Sequence, residues 1–458
     1  MRVQSSSGKV CVALCSFALG SSLLLKEAAA EKILAHDGDW TLFSEGRVGG
    51  FVSYVRGDGF PKFEYGYWYN KATDQSGIGQ IHDVKGGGMA DVREQQPTPF
   101  TIQQVGPSQG TLERTRLRSG MIGNTFAFGV RGPVTPYTTV KGYIQFWAWV
   151  ENDGETKSNI NIADVRQGYV KLEGLWGSLL VGRTRGLYSR GATDIDVMYA
   201  HGFGVGFPGS VDGRGPTQGH IGFGVLGSGF SPAVIYGTPV LGTPLLGTFQ
   251  LNIGAYDPLI LGGGGSWTRT TWPRPEAELT YERALGKLGK VVLFGNGAYQ
   301  KVNQGGTVTE SVTGAGFGYG GRLEIDRFRL GVAGHYGIGL GLNYALEVSD
   351  AAQDSTSHLR KFDGYYVQGQ VVLGKVDVSA GWGITRVFRN KVDSDPDPTT
   401  GQIPTSWIRH QEGFSCGAVY HVRPWLHIDV DLFRADFLWW LGEKQVDYIA
   451  NSGMMFTW

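Results

Sequence analysis

Over much of the chain, apolar and polar side chains alternate with period two. In "YTTVKGYIQFWAWVE", residues 137–151, Val140, Ile144, Phe146, Ala148 and Val150 share one face. Thr139, Lys141, Gln145 and Glu151 share the other, with Trp147 and Trp149 among them. "WLHIDVDLF" (425–433) sets Leu426, Ile428, Val430 and Leu432 against His427, Asp429 and Asp431. "KVDVSAGWGIT" (375–385) and "PEAELTYER" (275–283) alternate in the same way. Period two is the signature of strands, and long amphipathic helical patterns are absent. The predicted fold class is all-β.

A soluble sandwich also alternates, but two features favour an antiparallel barrel in lipid. The apolar face includes small residues (Gly142, Ala148, Ala380), which need not fill a packed core. The polar face carries full charges on strand after strand, as suits a water-filled lumen. The connections alternate too. Tight turns at 132–136, 173–177, 285–290, 326–328 and 423–425 separate longer polar links at 57–110, 152–160, 186–230, 303–313, 346–361 and 389–406. Counting through them predicts about sixteen strands, an even number with short turns at one rim and long loops at the other. The chain ends in "NSGMMFTW", where Met454, Phe456 and Trp458 share a face. This final strand is expected to close against "WTLFSEGRVGGFVSYV" (40–55), because an open edge is forbidden in lipid.

The N-terminus sets the compartment. Arg2 and Lys9 precede an uncharged, mostly apolar run at 10–25, and Ala28–Ala30 supply an A-x-A site before Glu31. This is the layout of a secretory signal peptide, so 1–30 is read as the leader and 31–458 as one barrel domain. Cys11 and Cys15 would leave with it, and Cys416 is expected as a buried, inert thiol. Composition adds 73 Gly, 12% aromatic and 18% charged residues, with zero net charge. A balanced charge without a basic stripe argues against nucleic acid as a partner. Nothing in the spacing calls for a cofactor or metal. Asp393, Asp395 and Asp397 have calcium-like spacing but lack the Gly and closing Glu of an EF-hand loop.

"RQGYVKLEGLWGSLLVGR" (166–183) resembles the general bacterial porins, with Arg166, Tyr169, Val170, Leu172, Gly174, Trp176, Gly177, Gly182 and Arg183 at the family's pattern positions. "WTLFSEGRVGGF" resembles their first strand, with Arg47 at its usual basic position, and Phe456 and Trp458 match the terminal signal read by outer-membrane assembly machinery. The resemblance implies a 16-stranded barrel, usually a homotrimer, in the outer membrane of a Gram-negative bacterium. Its partners would be outer-membrane lipid, lipopolysaccharide, ions and small hydrophilic solutes that diffuse passively. It also implies that the loop after Arg183, including 191–215, folds inward. Asp194, Asp196 and Asp212 would then face Arg47, Arg166 and Arg183, with Arg114, Arg116 and Arg118 as a further basic row. Asp212 is displaced from the family's usual acidic position at the loop tip, which leaves the ion preference open.

Two other classes compete. A sugar-selective channel needs a row of lumen aromatics, and Tyr143, Trp147, Trp149 and Tyr366 could supply it. A barrel lipase needs a Ser/His pair. "GFSCG" at 413–417 fits G-x-S-x-G, but it lies inside an alternating strand rather than on a strand-to-helix turn. In a glycine-rich chain such a match is expected by chance, and the reading is a non-enzyme.

Overall fold

The alternating stretches are antiparallel strands in the computed structural model. It describes residues 31–58, 64–70, 75–81, 111–118, 124–148, 164–198, 219–227, 229–243, 246–258, 272–303, 311–340, 359–390, 408–439 and 444–458. β1 (Lys32–Asp37) turns back on the start of β2 (Trp40–Asp58). β3 (Glu64–Asn70) and β4 (Gln75–Ile81) form a separate hairpin. β5 (Thr111–Arg118) and β6 (Asn124–Thr135) occupy one wall position. Both pair with β2, with Arg118 opposite Phe51 and Thr125 opposite Arg47.

The wall continues through β7 (Thr138–Ala148), β8 (Asp164–Gly174) and β9 (Gly177–Arg185). β10 (Phe230–Gly237) and its short extension β11 (Leu241–Thr243) both pair with β12 (Gly247–Tyr256). β13 (Arg274–Ala284), β14 (Gly289–Asn303), β15 (Ser311–Ile325) and β16 (Phe328–Ile338) follow in order. Then come β17 (Lys361–Leu373), β18 (Val376–Val387), β19 (Ile408–Arg423), β20 (Leu426–Trp439) and β21 (Lys444–Thr457). β21 returns to β2, from Arg47 opposite Thr457 to Gly57 opposite Asp447. The described strands therefore close a ring of 16 positions.

The side chains are inside out relative to a water-soluble fold. On β20, Ile428, Val430 and Leu432 are 37%, 50% and 54% exposed, whereas His427, Asp429 and Asp431 between them are 3%, 1% and 1%. In water this exchange would be unfavourable. In lipid it is the expected arrangement, because the outer surface then meets a medium as apolar as itself. Aromatic side chains gather at both ends of the apolar band. Trp425, Phe456, Trp458 and Phe126 form a chain of ring contacts near the short turns. Tyr365, Trp382 and Phe414 form another toward the long loops.

Closure explains the aromatic terminus. Gly46 and Trp458 exchange both backbone hydrogen bonds, and the Trp458 indole donates to Ser44 Oγ at 3.1 Å. Gly46 is needed for this approach, since a Cβ there would meet Trp458 and the Thr125 carbonyl at 2.5 Å. The tight turns fall close to where expected, except that β6 runs on to Thr135 and the first turn lies at Pro136 and Tyr137 rather than over 132–136. Cys416 differs from expectation: it is exposed, on the outward row between Ala380 and Leu432. A thiol is weakly polar, so a lipid-facing position costs it little.

Candidate pore constriction

At Gly186 the chain leaves the wall, and the Gly186 N–H donates to the Gly229 carbonyl at 2.8 Å, pinching the neck of the loop. Beyond the neck the loop turns inward and docks on the inner wall. The Tyr188 N–H donates to Glu276 at 2.9 Å and the Ser189 N–H to Asn296 at 3.3 Å. Burial pushes the Tyr188 phenol above its ordinary value, and Glu276 adds to the effect. A short helix, α1 (Arg190–Ile195), follows. Its Arg190 guanidinium pairs with Glu278 of β13. Ala192 and Ile195 pack with Val292, Phe294, Ala333 and Tyr366. Tyr366 donates to the Ala192 carbonyl at 2.8 Å, and Gln368 donates to the Ile195 carbonyl at 2.9 Å.

The returning limb, 219–227, is held by β16–β20. The Gly224 N–H donates to Thr385 Oγ1 at 2.9 Å, Gln411 donates to the Gly222 carbonyl, and Phe223 packs on Phe433 and Phe437. Asp196 joins the two limbs. It accepts from the backbone N–H of Met198 and of His220, and its Oδ2 lies 3.2 Å from His220 Nδ1. His220 Nε2 lies 3.2 Å from Ser415 Oγ on β19, and the imidazole stacks on Tyr366.

Asp196, His220 and Ser415 are thus linked in series by hydrogen bonds, an arrangement missed in the sequence. Their exposures of 1%, 0% and 5% decide its meaning. A nucleophile needs substrate access and oxyanion donors. Here Ser415 lies mid-strand under the loop, and its hydroxyl also reaches Gly381 O and Met198 Sδ at 3.3 Å. The chain of bonds acts as a clasp between loop and wall.

The expected site residues separate. Asp194 is bound by Arg185 at 2.6 Å, and Asp196 is enclosed in the clasp, so these acids serve docking before they serve the pore. Asp212 lies outside the described residues. Arg47 is 5% exposed on the inward row of β2. Arg166 is the extra residue of a bulge between β7 and β8, with its guanidinium 4.7 Å from the Trp147 ring. Arg183 departs from expectation. It stands opposite Gly168 and Pro232, in the outward row with Val181, because neighbouring Thr184 points inward and donates to Gln167. Arg114, Arg116 and Arg118 sit in register opposite Val55, Ser53 and Phe51, and their side chains lie outside the described residues. Tyr143 and Trp147 face inward, the former stacked on Tyr169 at 5.1 Å. Trp149 lies outside the described residues. Tyr366 faces inward but is fully covered by the loop, so it does not line an open aromatic path.

The closed barrel has counterparts among solved structures. The barrel has the fold of the bacterial outer-membrane porins. It is similar to the outer membrane channel DcaP of Acinetobacter baumannii, at 13% identity and a TM-score of 0.61, over 93% of this chain and 100% of that one. It is also similar to an anion-selective porin from Comamonas acidovorans, at 12% identity and a TM-score of 0.54, over 92% and 100%. OmpF of Salmonella typhi, in complex with daunomycin, aligns at 9% identity and a TM-score of 0.50, over 94% and 100%. No family model matches the sequence. No curated protein matches it either.

Proposed function

We propose that this porin-fold barrel is an outer-membrane channel of a Gram-negative bacterium, passing ions and small hydrophilic solutes by diffusion. One observation carries the reading: an apolar outer wall encloses a polar inner wall that the inward loop covers only in part. Among the described residues the loop packs against β10, β12–β21 and β2, while Lys141, Lys171 and Glu173 on the wall of β7–β8 keep side-chain exposures of 24%, 15% and 45%. Charged groups that remain wet inside a lipid-facing barrel are what an aqueous path requires. Assembly as a homotrimer in outer-membrane lipid and lipopolysaccharide follows the family resemblance. Cleavage after Ala30 follows the leader pattern.

A second reading, sugar selectivity, draws on the Tyr143–Tyr169 stack and the amides of Gln145 and Gln167 bonded beside it. An enzymatic reading loses its support with the burial of Ser415. Liposome swelling with a size series of sugars separates the three. Flux limited by solute size supports a general channel, and saturable flux supports a selective one. Absence of flux overturns both.

A further inference from the structure

Three cations stand directly opposite one another on the inner wall near the short-turn rim. Arg131 of β6 pairs in register with Lys141 of β7, and Lys141 with Lys171 of β8. Like charges at directly opposed positions repel, so such a row needs counter-charges. Lys171 has Glu173, two residues on, at 2.6 Å. Among the described residues, no acid of β6 or β7 pairs with Arg131 or Lys141. Their partner is Glu31, just before β1, whose carboxylate binds the Arg131 guanidinium with one oxygen and lies 3.4 Å from Lys141 Nζ with the other. Both cations rest near the same ring, with Arg131 Cζ 5.2 Å and Lys141 Nζ 4.8 Å from the centre of Phe43, a fully buried inward residue. Glu31 itself is about one-quarter exposed and Arg131 nearly half, so the group faces water rather than a sealed core.

We propose that Arg131, Lys141 and Lys171 form an anion-attracting sector at the short-turn mouth of the lumen, and that Glu31 tempers it and thereby sets the anion–cation balance of the pore. The inference rests on the channel reading. The physical reason is one of position. Glu31 is brought to the mouth by a strand that pairs at the foot of β2, and a carboxylate shared by two cations halves their net charge. Without it, two positive charges face the water column together, beside the α-ammonium that cleavage after Ala30 would leave on residue 31 in parent and variant. The neighbouring acid Glu45 keeps its charge but is held by the Tyr143 hydroxyl at 2.5 Å, and among the described residues it makes no ion pair with Arg131 or Lys141.

The test uses the purified full barrel in planar bilayers, with reversal potentials read across a gradient of dilute potassium chloride. Glu31→Gln is expected to raise the chloride-to-potassium permeability ratio by about two- to fourfold, the bias a unit charge roughly 8 Å away exerts at low ionic strength. Lys171→Gln leaves the Glu31 contacts in place and is expected to lower the ratio. The Glu31→Gln/Lys141→Gln double variant should return close to the parent. Heat-modifiable mobility on gels checks that each variant is a folded barrel. Unchanged reversal potentials in folded Glu31→Gln and Lys171→Gln overturn the inference while leaving the channel intact. If Glu31→Gln does not fold, Lys171→Gln decides alone. A parent protein without conductance overturns the channel reading itself.

Discussion

Arg190 on the inward loop pairs with Glu278 on the barrel wall, and Glu278 is 2% exposed. The contact holds the start of α1 against β13, just past the neck where the chain leaves the wall. Removing one partner of a buried pair leaves the other charge uncompensated, at a cost of about 3–5 kcal/mol. Arg190→Ala should therefore loosen α1 without opening the barrel. The expected result is increased open-channel current noise with an unchanged heat-modifiable gel shift. A quiet channel in this variant would show that the pair does not hold the loop.

The clasp of Asp196, His220 and Ser415 yields a prediction that separates docking from catalysis. His220→Ala takes a donor from a buried carboxylate, a loss of about 1–3 kcal/mol, and should also raise current noise. Ser415→Ala should have a smaller effect, because Asp196 and His220 keep their bond. Neither the parent nor either variant should release fatty acid from phospholipid vesicles. Release by the parent that Ser415→Ala abolishes would show a hydrolase instead.

Register predicts opposite behaviour for two arginines. Arg47 lies on the inward row and Arg183 on the outward row. Arg47→Ala should raise cation over anion permeability, whereas Arg183→Ala should leave the reversal potential where it was. A shift in Arg183→Ala equal to that in Arg47→Ala would contradict the assigned faces.

The seam gives a fourth test. Removing 456–458 deletes the bonds between Trp458 and Gly46 and exposes the foot of β2 to lipid, where unpaired backbone groups are costly. The yield of inserted barrel should fall sharply. Removing three residues from the polar link at 392–400 should leave the yield near that of the parent. Equal yields would mean that the terminus does not close the barrel.

The wall was legible because period-two alternation survives wherever one face meets lipid and the other water. Residues 425–433 show this without ambiguity, and the turns at 326–328 and 423–425 could be read from it. The same parity should have placed Arg183 outward, since Leu179, Val181 and Arg183 share a face in any strand; the family resemblance drew it inward. Parity likewise groups Cys416 with Phe414 and Ala418. The docking of the loop was not legible. His220 and Ser415 are 195 positions apart, and nothing local marks them as neighbours. The cation row at Arg131, Lys141 and Lys171 depends on register between strands, which alternation within one strand does not fix.

The loop between Gly186 and Gly229 is proposed to narrow an aqueous pore. The bond between these two glycines already brings the ends of β9 and β10 together, so 187–228 can be replaced by an Asn-Gly turn suited to a tight hairpin. Single-channel conductance of the parent and of this shortened barrel in planar bilayers tests the claim directly. Discrete conductance steps are expected in the parent, and severalfold larger steps once the loop is gone. Equal conductance in the two folded barrels, or no steps in either, would contradict it.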